Sequence, residues 1–503
     1  MKNLQPLIYA TLIATGIYIG SLEKSSKIKN HNKINNLLHI IQNHYVDSIN
    51  YNTFEDDAIN SILSELDPHS SYISIKNVKP LEEDMQGSFS GIGIEFNIIK
   101  DSIVVISPIS GGPSEELGIQ SGDRIINVEG EDVASIGIKN EDVITRLRGE
   151  RGTAVNIIIK RRGQDELIPF KIIRDDIPLH SVDAGIMLTN DIGYIKINRF
   201  AATTYNEMME KVNSLNTIGM KRLILDLRDN PGGYLHIANQ ICDEFLKKGE
   251  LIVFTKGRKR NTQEIFATSD GSLEDIKIIT LINEGSASAS EIVSGALQDN
   301  DRGLVIGRRS FGKGLVQEQI SLNDGSIMRL TTQRYYTPSG RCIQKDYGKN
   351  RKDYFLEQYN REKLKDNHER IKYSTKKGRI VYGGGGINPD IIIERDSNLN
   401  YSQINILIRK GWINEFCFEE SEIFRKQNIQ NYKQININTT FNKFIQYLKL
   451  KDRKFNLSLG AIESKYLKTL LLANISRKLW DNNIYYKILS QEDEYIKQAI
   501  NNF

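Results

Sequence analysis

Residues 285–317 read GSASASEIVSGALQDNDRGLVIGRRSFGKGLVQ, and the order of patterns around this stretch indicates an α/β fold. The apolar run IKIITLI at 276–282 predicts a buried strand before it, and IVSGALQD predicts a helix within it. LVI at 304–306 predicts the next strand. Upstream, GYIKI, the run RLILDL and a helical pattern over 235–245 continue the alternation. Alternating strands and helices predict a sheet with active-site loops at its strand ends.

The serine-rich turn of this stretch offers a nucleophile. Ser288 lies between a predicted strand and a predicted helix, where a side chain is exposed and the helix N-terminus favours developing negative charge. Ser288 and Glu291 also have the spacing of a capping box, in which the serine only caps the helix. The turn alone leaves both interpretations open.

The second notable feature is GRRSFGKG at 307–314, which nearly matches a phosphate-binding P-loop. Gly314 stands where a P-loop needs a hydroxyl to ligate Mg²⁺, and the LVQEQI that follows predicts a strand where a P-loop requires a helix. Nucleotide binding is therefore disfavoured. A lysine between two glycines can instead lie close to the backbone and away from water, and burial lowers the pKa of such an amine.

The histidines offer no base for Ser288. No GxSxG motif is present, and His236, within a predicted core helix, is best explained by packing or exposure. The other six lie in the N-terminal region or in polar stretches: His31, His39, His44, His69, His180 and His368. A Ser–Lys pair with Lys313 as the base is the physically sound alternative.

A different pattern occupies residues 86–175. Strands with alternating apolar residues surround a short turn, LGIQSGD at 117–123, and an amphipathic helical pattern over 138–148. This order of elements over about ninety residues resembles a PDZ domain.

Taken in order, the motifs resemble those of the C-terminal processing (tail-specific) serine proteases. The resemblance covers about residues 30–395 and includes the 285–317 stretch, DLRDNPGGYL, RYYTPSGRCIQ and YGGGGINPD. It implies a multidomain α/β protein with a crotonase-like protease core, an inserted β-rich PDZ domain, and helical N- and C-terminal regions. It also implies a serine endopeptidase that needs no metal and no cofactor.

The family pattern assigns catalytic roles to three positions. Ser288 matches the nucleophile and Lys313 matches the general base. Gln317, four residues on and on the same face of a strand, matches the residue that orients the lysine. Its amide oxygen accepts from the ammonium without adding a charge that would raise the pKa.

Other positions match supporting roles. The resemblance places the oxyanion hole at the backbone N–H of Ala289 and of Gly232 or Gly233, since a glycine-rich turn lets amides approach a substrate carbonyl. Glu291 and Asp299 match acidic positions that influence activity, although capping and structural pairing explain them as well.

The PDZ-like part predicts selectivity for protein tails. Its loop, Ser90-Gly91-Ile92-Gly93, and the strand that follows can add a peptide as an extra strand and capture its carboxylate with backbone amides. Ile92 and Ile94 predict an apolar terminal side chain on the substrate. Arg148 resembles a position that couples PDZ occupancy to the protease core, or is a solvated arginine at a helix end.

Segment boundaries follow from these patterns and from the N-terminus. Residues 4–21 are almost uncharged and long enough to span a bilayer, which predicts a single-pass signal anchor in the cytoplasmic membrane with the catalytic domains in the periplasm or otherwise outside the cytoplasm. Four lysines after the segment argue for the opposite orientation. Pro68 ends a helical stretch that contains no evident chemistry. The predicted segments are an anchor at 1–21, a helical region at 22–85, a PDZ domain at 86–175, a protease core at 176–398 and a mostly helical region at 399–503.

Composition limits the classes of molecule that the chain is expected to bind. The 503 residues suit about three domains, and a net charge of +4 gives no argument for nucleic acid. Three scattered cysteines predict neither a disulfide framework nor a zinc site. The expected partners are proteins or peptides with apolar C-termini and, through the N-terminal segment, the membrane; a homodimer is left open. The alternative function is a catalytically inactive, PDZ-containing scaffold, against which the intact Ser288, Lys313 and Gln317 argue.

Overall fold

The structure is a computed structural model that describes residues 14–15, 32–109, 111–348, 350–361, 371–395, 402–453, 455 and 457–503. The predicted anchor at 4–21 lies almost wholly outside these residues. Within them, no helix has both the length and the apolar character that crossing a membrane requires.

The N-terminal region is helical with one exception. Its elements are α1 Asn32–His44, α2 Tyr51–Ser64, β1 Ser71–Ile73 and α3 Ile75–Gln86. The exception is β1, which pairs antiparallel with a strand far along the chain and places Ser71 opposite Arg329. The predicted helical region at 22–85 therefore also contains one strand, which belongs to a sheet of the core.

The PDZ-like part forms one sheet, and its first and last strands pair with each other as a separate two-stranded sheet. Its elements are β2 Ser88–Gly91, β3 Ile94–Ile98, β4 Ile103–Pro108, α4 Pro113–Glu116, β5 Arg124–Val128, β6 Glu131–Asp132, α5 Asn140–Leu147, β7 Ala154–Lys160, β8 Leu167–Ile173 and β9 Asp175–Pro178. The sheet order is β3-β4-β5-β7-β8, with β6 on β5. The pair β2–β9 brings the two ends of the insertion together, and Val143 and Leu147 of α5 pack on the sheet.

The α/β core contains the predicted alternation of strands and helices. Its elements are β10 Val182–Met187, β11 Ile192–Ile197, α6 Thr204–Thr217, β12 Arg222–Asp226, α7 Leu235–Phe245, β13 Leu251–Gly257, β14 Arg260–Phe266, β15 Lys277–Ile282, α8 Ala289–Asp299, β16 Leu304–Gly307, β17 Leu315–Ser321, β18 Ile327–Tyr336, α9 Arg351–Asn360, β19 Lys372–Ser374, β20 Ile380–Tyr382 and β21 Ile391–Ile392. The central sheet has the order β10-β11-β12-β15-β16-β21 and is parallel except for β10.

Both faces of the central sheet are covered, as its continuous apolar strands require. Helices α6, α7 and α8 pack on one face. The core also contains a second sheet, separate from the central one, with the order β1-β18-β13-β14 and with β17 also paired to β18. The other face of the central sheet is covered by the end of the chain, through Tyr495, Ile496 and Ala499.

The C-terminal region is helical, as predicted, and contacts both preceding domains. Its helices are α10 Ser402–Arg409, α11 Trp412–Lys426, a 3₁₀ turn at Tyr432–Gln434, α12 Ile437–Lys451, α13 Ala461–Leu479, α14 Asn482–Leu489 and α15 Glu494–Asn501. Phe418 packs against Val104 and Ile106 of the PDZ-like sheet.

The C-terminal region also supplies a carboxylate that pairs with a cation of the core. Lys196 and Arg228 both pair with the fully buried Asp226, which alone cannot neutralise two cations. Asp493, just before α15, supplies the second carboxylate at 2.7 Å from Arg228. Because an unpaired buried charge is strongly destabilising, the C-terminal region contributes to the stability of the core.

Candidate active site

Ser288 lies at a strained turn between β15 and α8. Its φ of +55° and ψ of −113° are unusual for a residue with a Cβ atom. The neighbouring hydroxyl of Ser286 donates to the carbonyl of Leu227 (2.8 Å), and the amide of Phe311 donates to the carbonyl of Ser286 (2.9 Å). These bonds fix the turn, which leaves Ser288 half-buried at the wall of a cavity.

Glu291 connects this turn to the lysine loop. It caps α8 as its spacing predicts, since its carboxylate accepts from the backbone N–H of Ser288 (2.8 Å). The same fully buried carboxylate accepts from the hydroxyl of Ser310 and the amides of Gly312 and Lys313, at 2.5–2.9 Å. Burial raises the pKa of Glu291, against the effect of these donors. One carboxylate thereby fixes the spacing between the serine turn and the lysine loop.

Lys313 follows β16 and precedes β17, so the predicted strand after the glycine-rich stretch is present and a P-loop helix is not. Its Nζ donates to Oε1 of Gln317 at 2.9 Å. Burial and the nearby Arg329 lower the pKa of Lys313 to about 8, while Glu291 and Asp67 act in the opposite direction. This value places a substantial fraction of the amine in its neutral form at mildly alkaline pH.

A single cavity of about 820 Å³ brings the predicted catalytic residues together. Ser288, Ala289, Lys313 and Gln317 line it along with Gly232 and Gly233, and its apolar wall includes Leu235, Ile292 and Leu315. The cavity also includes Leu81, Asp84 and Met85 of α3, which sequence reasoning did not place there. Residues as far apart in the chain as Leu81 and Gln317 thus form one concave site with a nucleophile, a perturbed lysine and apolar walls.

The glycine turn that faces Ser288 distinguishes between the two predicted oxyanion donors. Gly232 has φ +101°, and a Cβ atom there would lie 2.8 Å from Cβ of Ser288, so only glycine fits. The amide of Gly232 donates to the side chain of Asn230 at 2.9 Å and is therefore already used. In the described part of the chain, the amide of Gly233 has no such acceptor. As the first residue of α8, Ala289 has no intrahelical acceptor for its amide.

The predicted tail-binding residues lie at one edge of the PDZ-like sheet. Ser90 and Gly91 belong to β2 and pair with β9, so the predicted loop is reduced to Ile92 and Gly93. Ile92 and Ile94 are buried in the domain. Among the described strands, β3 pairs within its sheet only with β4, which leaves its other edge without a strand partner.

Arg148 makes specific contacts and is not simply solvated. Its guanidinium lies 2.6 Å from the carboxylate of Glu83 in α3 and 4.1 Å from the centre of the Phe89 ring. Since α3 also lines the catalytic cavity, Arg148 connects the PDZ-like domain to a wall of that cavity.

Two residues near the lysine were missed at the sequence level. The carbonyl of His69 accepts from Nε2 of Gln317 at 2.6 Å. The negative charge of Asp67 acts to raise the pKa of Lys313. The turn Asp67-Pro68-His69-Ser70 carries the signal, although its proline alone indicates only the end of a helix. An aspartate that precedes two amides in a turn is typical of an Asx-turn and indicates a fixed backbone.

Comparison with known proteins gives two family matches. Residues 191–350 match the model of peptidase family S41, and residues 90–172 match that of the PDZ domain. The chain is 38% identical to a carboxy-terminal-processing protease of Bartonella bacilliformis, over 67% of this chain and 77% of that protein. It is 35% identical to a probable CtpA-like serine protease of Staphylococcus aureus, over 65% of this chain and 64% of that protein.

Among solved structures, the photosystem II D1 C-terminal processing protease matches with a TM-score of 0.37 and 25% identity. The match covers 70% of this chain and 84% of that one.

Proposed function

The chain belongs to peptidase family S41 as a serine-type C-terminal processing peptidase with a PDZ domain, and from that premise we propose that it is an endopeptidase with a Ser288–Lys313 dyad. The observation that carries the proposal is the half-buried Lys313, whose amine is held by Gln317 in the cavity that Ser288 also lines. Loss of activity in Ser288→Ala and Lys313→Arg tests it.

Catalysis proceeds by acyl transfer. Neutral Lys313 takes the proton of the Ser288 hydroxyl as its oxygen attacks the scissile carbonyl carbon. The amides of Ala289 and Gly233 stabilise the oxyanion. Protonated Lys313 then gives its proton to the departing amine as the peptide bond breaks. Water attacks the acyl-enzyme with Lys313 again as base, which releases the new carboxyl end and restores Ser288.

Substrate choice is assigned to the PDZ domain. The edge of β3 without a strand partner supports addition of a peptide tail as a further strand, with the terminal carboxylate at the loop amides of Ile92 and Gly93. The apolar side chains of Ile92 and Ile94, in and next to this loop, favour an apolar terminal residue on the substrate.

Amidating the C-terminus of a good peptide substrate is expected to lower kcat/KM by about tenfold or more, because the loop amides lose a charged acceptor. The measurement is cleavage of matched free-acid and amidated peptides. A third peptide with a charged last residue tests the apolar preference. Equal rates for the free-acid and amidated peptides would remove the tail-recognition role.

The apolar segment 4–21 supports an anchor in the cytoplasmic membrane, with catalysis in the periplasm or otherwise outside the cytoplasm. An alkaline phosphatase fused after residue 40 is expected to be active in bacteria, and a reporter that works only in the cytoplasm is expected to be inactive at the same point. The reverse pair of results would show that the lysines after the segment determine its orientation.

A further inference from the structure

The turn Asp67–Ser70 of the N-terminal region has a fixed backbone next to the lysine loop. The side chain of Asp67 is 7% exposed. Its Oδ1 accepts from the amides of His69 and Ser70, both at 2.8 Å, and from the hydroxyl of Thr331 at 3.1 Å. Its Oδ2 accepts from the hydroxyl of Ser70 at 2.6 Å. One carboxylate therefore sets the direction of the main chain at His69 and ties it to β18.

The carbonyl that results determines which way Gln317 faces. A carbonyl oxygen only accepts, so the amide nitrogen of Gln317 must point to His69, which it does at 2.6 Å. The opposite end of the amide, Oε1, must then face Lys313 and accept from its Nζ. If the amide were reversed, its NH₂ group would face the amine and could not accept from an ammonium.

The His69 ring holds the turn from the other side. Its Nε2 lies 2.7 Å from the hydroxyl of Tyr354, and the ring packs edge-on against Phe311, Tyr354 and Phe355. Burial and the positive charge of Lys313 lower the pKa of His69 to about 3, so the ring is neutral at working pH. Within the described chain, His69 is not among the residues that line the cavity, so it acts through its carbonyl.

We propose that Asp67 and the main chain of His69 are positioning residues for the general base Lys313. Both positioning residues belong to the N-terminal region, which the inserted PDZ domain separates from Lys313 along the chain. The proposal rests on the Ser288–Lys313 function above and adds to it the part that orients Gln317. It makes the N-terminal region necessary for turnover, through the direction of one carbonyl group.

The test compares pH profiles of kcat and kcat/KM on one free-acid peptide for wild type, Asp67→Ala, Asp67→Asn and Lys313→Arg. Asp57→Asn is the matched control, because it removes an exposed carboxylate from α2 of the same region. Asp67→Ala removes the acceptor that fixes the turn, so kcat is expected to fall on the order of 10- to 100-fold with KM unchanged.

Asp67→Asn retains Oδ1 as an acceptor and is expected to restore most of kcat. It also removes a negative charge that favours the ammonium form of Lys313. The other ionisable groups that act on this amine are Glu291 of α8, Arg329 of β18 and the neutral His69. The acid limb of kcat/KM is therefore expected to move to lower pH in Asp67→Asn and to stay in place in Asp57→Asn.

The outcomes separate this proposal from the function on which it rests. If Lys313→Arg is inactive while both Asp67 variants match wild type, the positioning role is overturned and the dyad stands. An equal loss at every pH in Asp67→Asn, with no shift of the acid limb, would also overturn it, since a merely structural role predicts that result. If Lys313→Arg is active, both proposals fail. If circular dichroism shows that Asp67→Ala does not fold, the results for Asp67→Asn alone decide whether the positioning role holds.

Discussion

Ser288→Ala is expected to lower peptide cleavage by at least ~10⁴-fold, because it removes the oxygen that forms the acyl-enzyme while every other group of the cavity remains. The folded state should persist, with the free energy of unfolding changed by less than about 2 kcal/mol even if a helix cap is weakened. The measurements are kcat/KM on one peptide, labelling by a fluorophosphonate, and thermal unfolding.

Two other serines, Ser290 and Ser294 of α8, provide controls with and without a bond to the oxyanion turn. Ser294→Ala removes a hydroxyl that donates only within α8, to the carbonyls of Ser290 and Glu291, and is expected to keep activity and labelling. Ser290→Ala removes a donor to the carbonyl of Asn230 in the oxyanion turn (2.9 Å), so substantial activity and full labelling are expected with some loss of rate. Labelling of the Ser288→Ala protein at another serine would contradict the assignment. Absence of labelling in wild type would favour the inactive scaffold.

The core was predictable because its signals are local. The helix Leu235–Phe245 has the bounds expected from apolar periodicity, and the strand predicted over LVQEQI after the lysine is present as Leu315–Ser321. The inserted domain was also recognised from consecutive elements, since its strands pair mainly with near neighbours in the chain.

What could not be predicted depends on pairing between distant residues. The bond from Gln317 to His69 joins residues 248 positions apart, and β1 has only three residues, too few for a periodic pattern. The choice between Gly232 and Gly233 required knowing where the Asn230 side chain points. Likewise, nothing local to the C-terminal helices indicates that Asp493 pairs with Arg228 beside the oxyanion turn.

The second large effect concerns Lys313. Lys313→Arg keeps the positive charge and a similar length, yet it is expected to lower kcat/KM by at least ~10³-fold, because a guanidinium does not lose its proton in proteins and so cannot act as a base. Lys277→Arg, at an exposed lysine that begins β15, is the matched control and should behave as wild type. Any role of this loop in gripping phosphate would largely survive the Lys313→Arg change.

The pH profile makes the same argument in the wild-type enzyme. Only neutral Lys313 can accept the serine proton, and burial lowers its pKa to about 8, so kcat/KM is expected to rise with pH up to about that value and to level off above it. Well below that pKa the neutral fraction, and with it the rate, falls about tenfold per pH unit. ATP should change nothing at any pH, because Gly314 offers no hydroxyl for Mg²⁺. A flat profile between pH 6 and 9 (roughly the range that such an amine titrates), activity in the arginine variant, or stimulation by ATP would each refute lysine as the base.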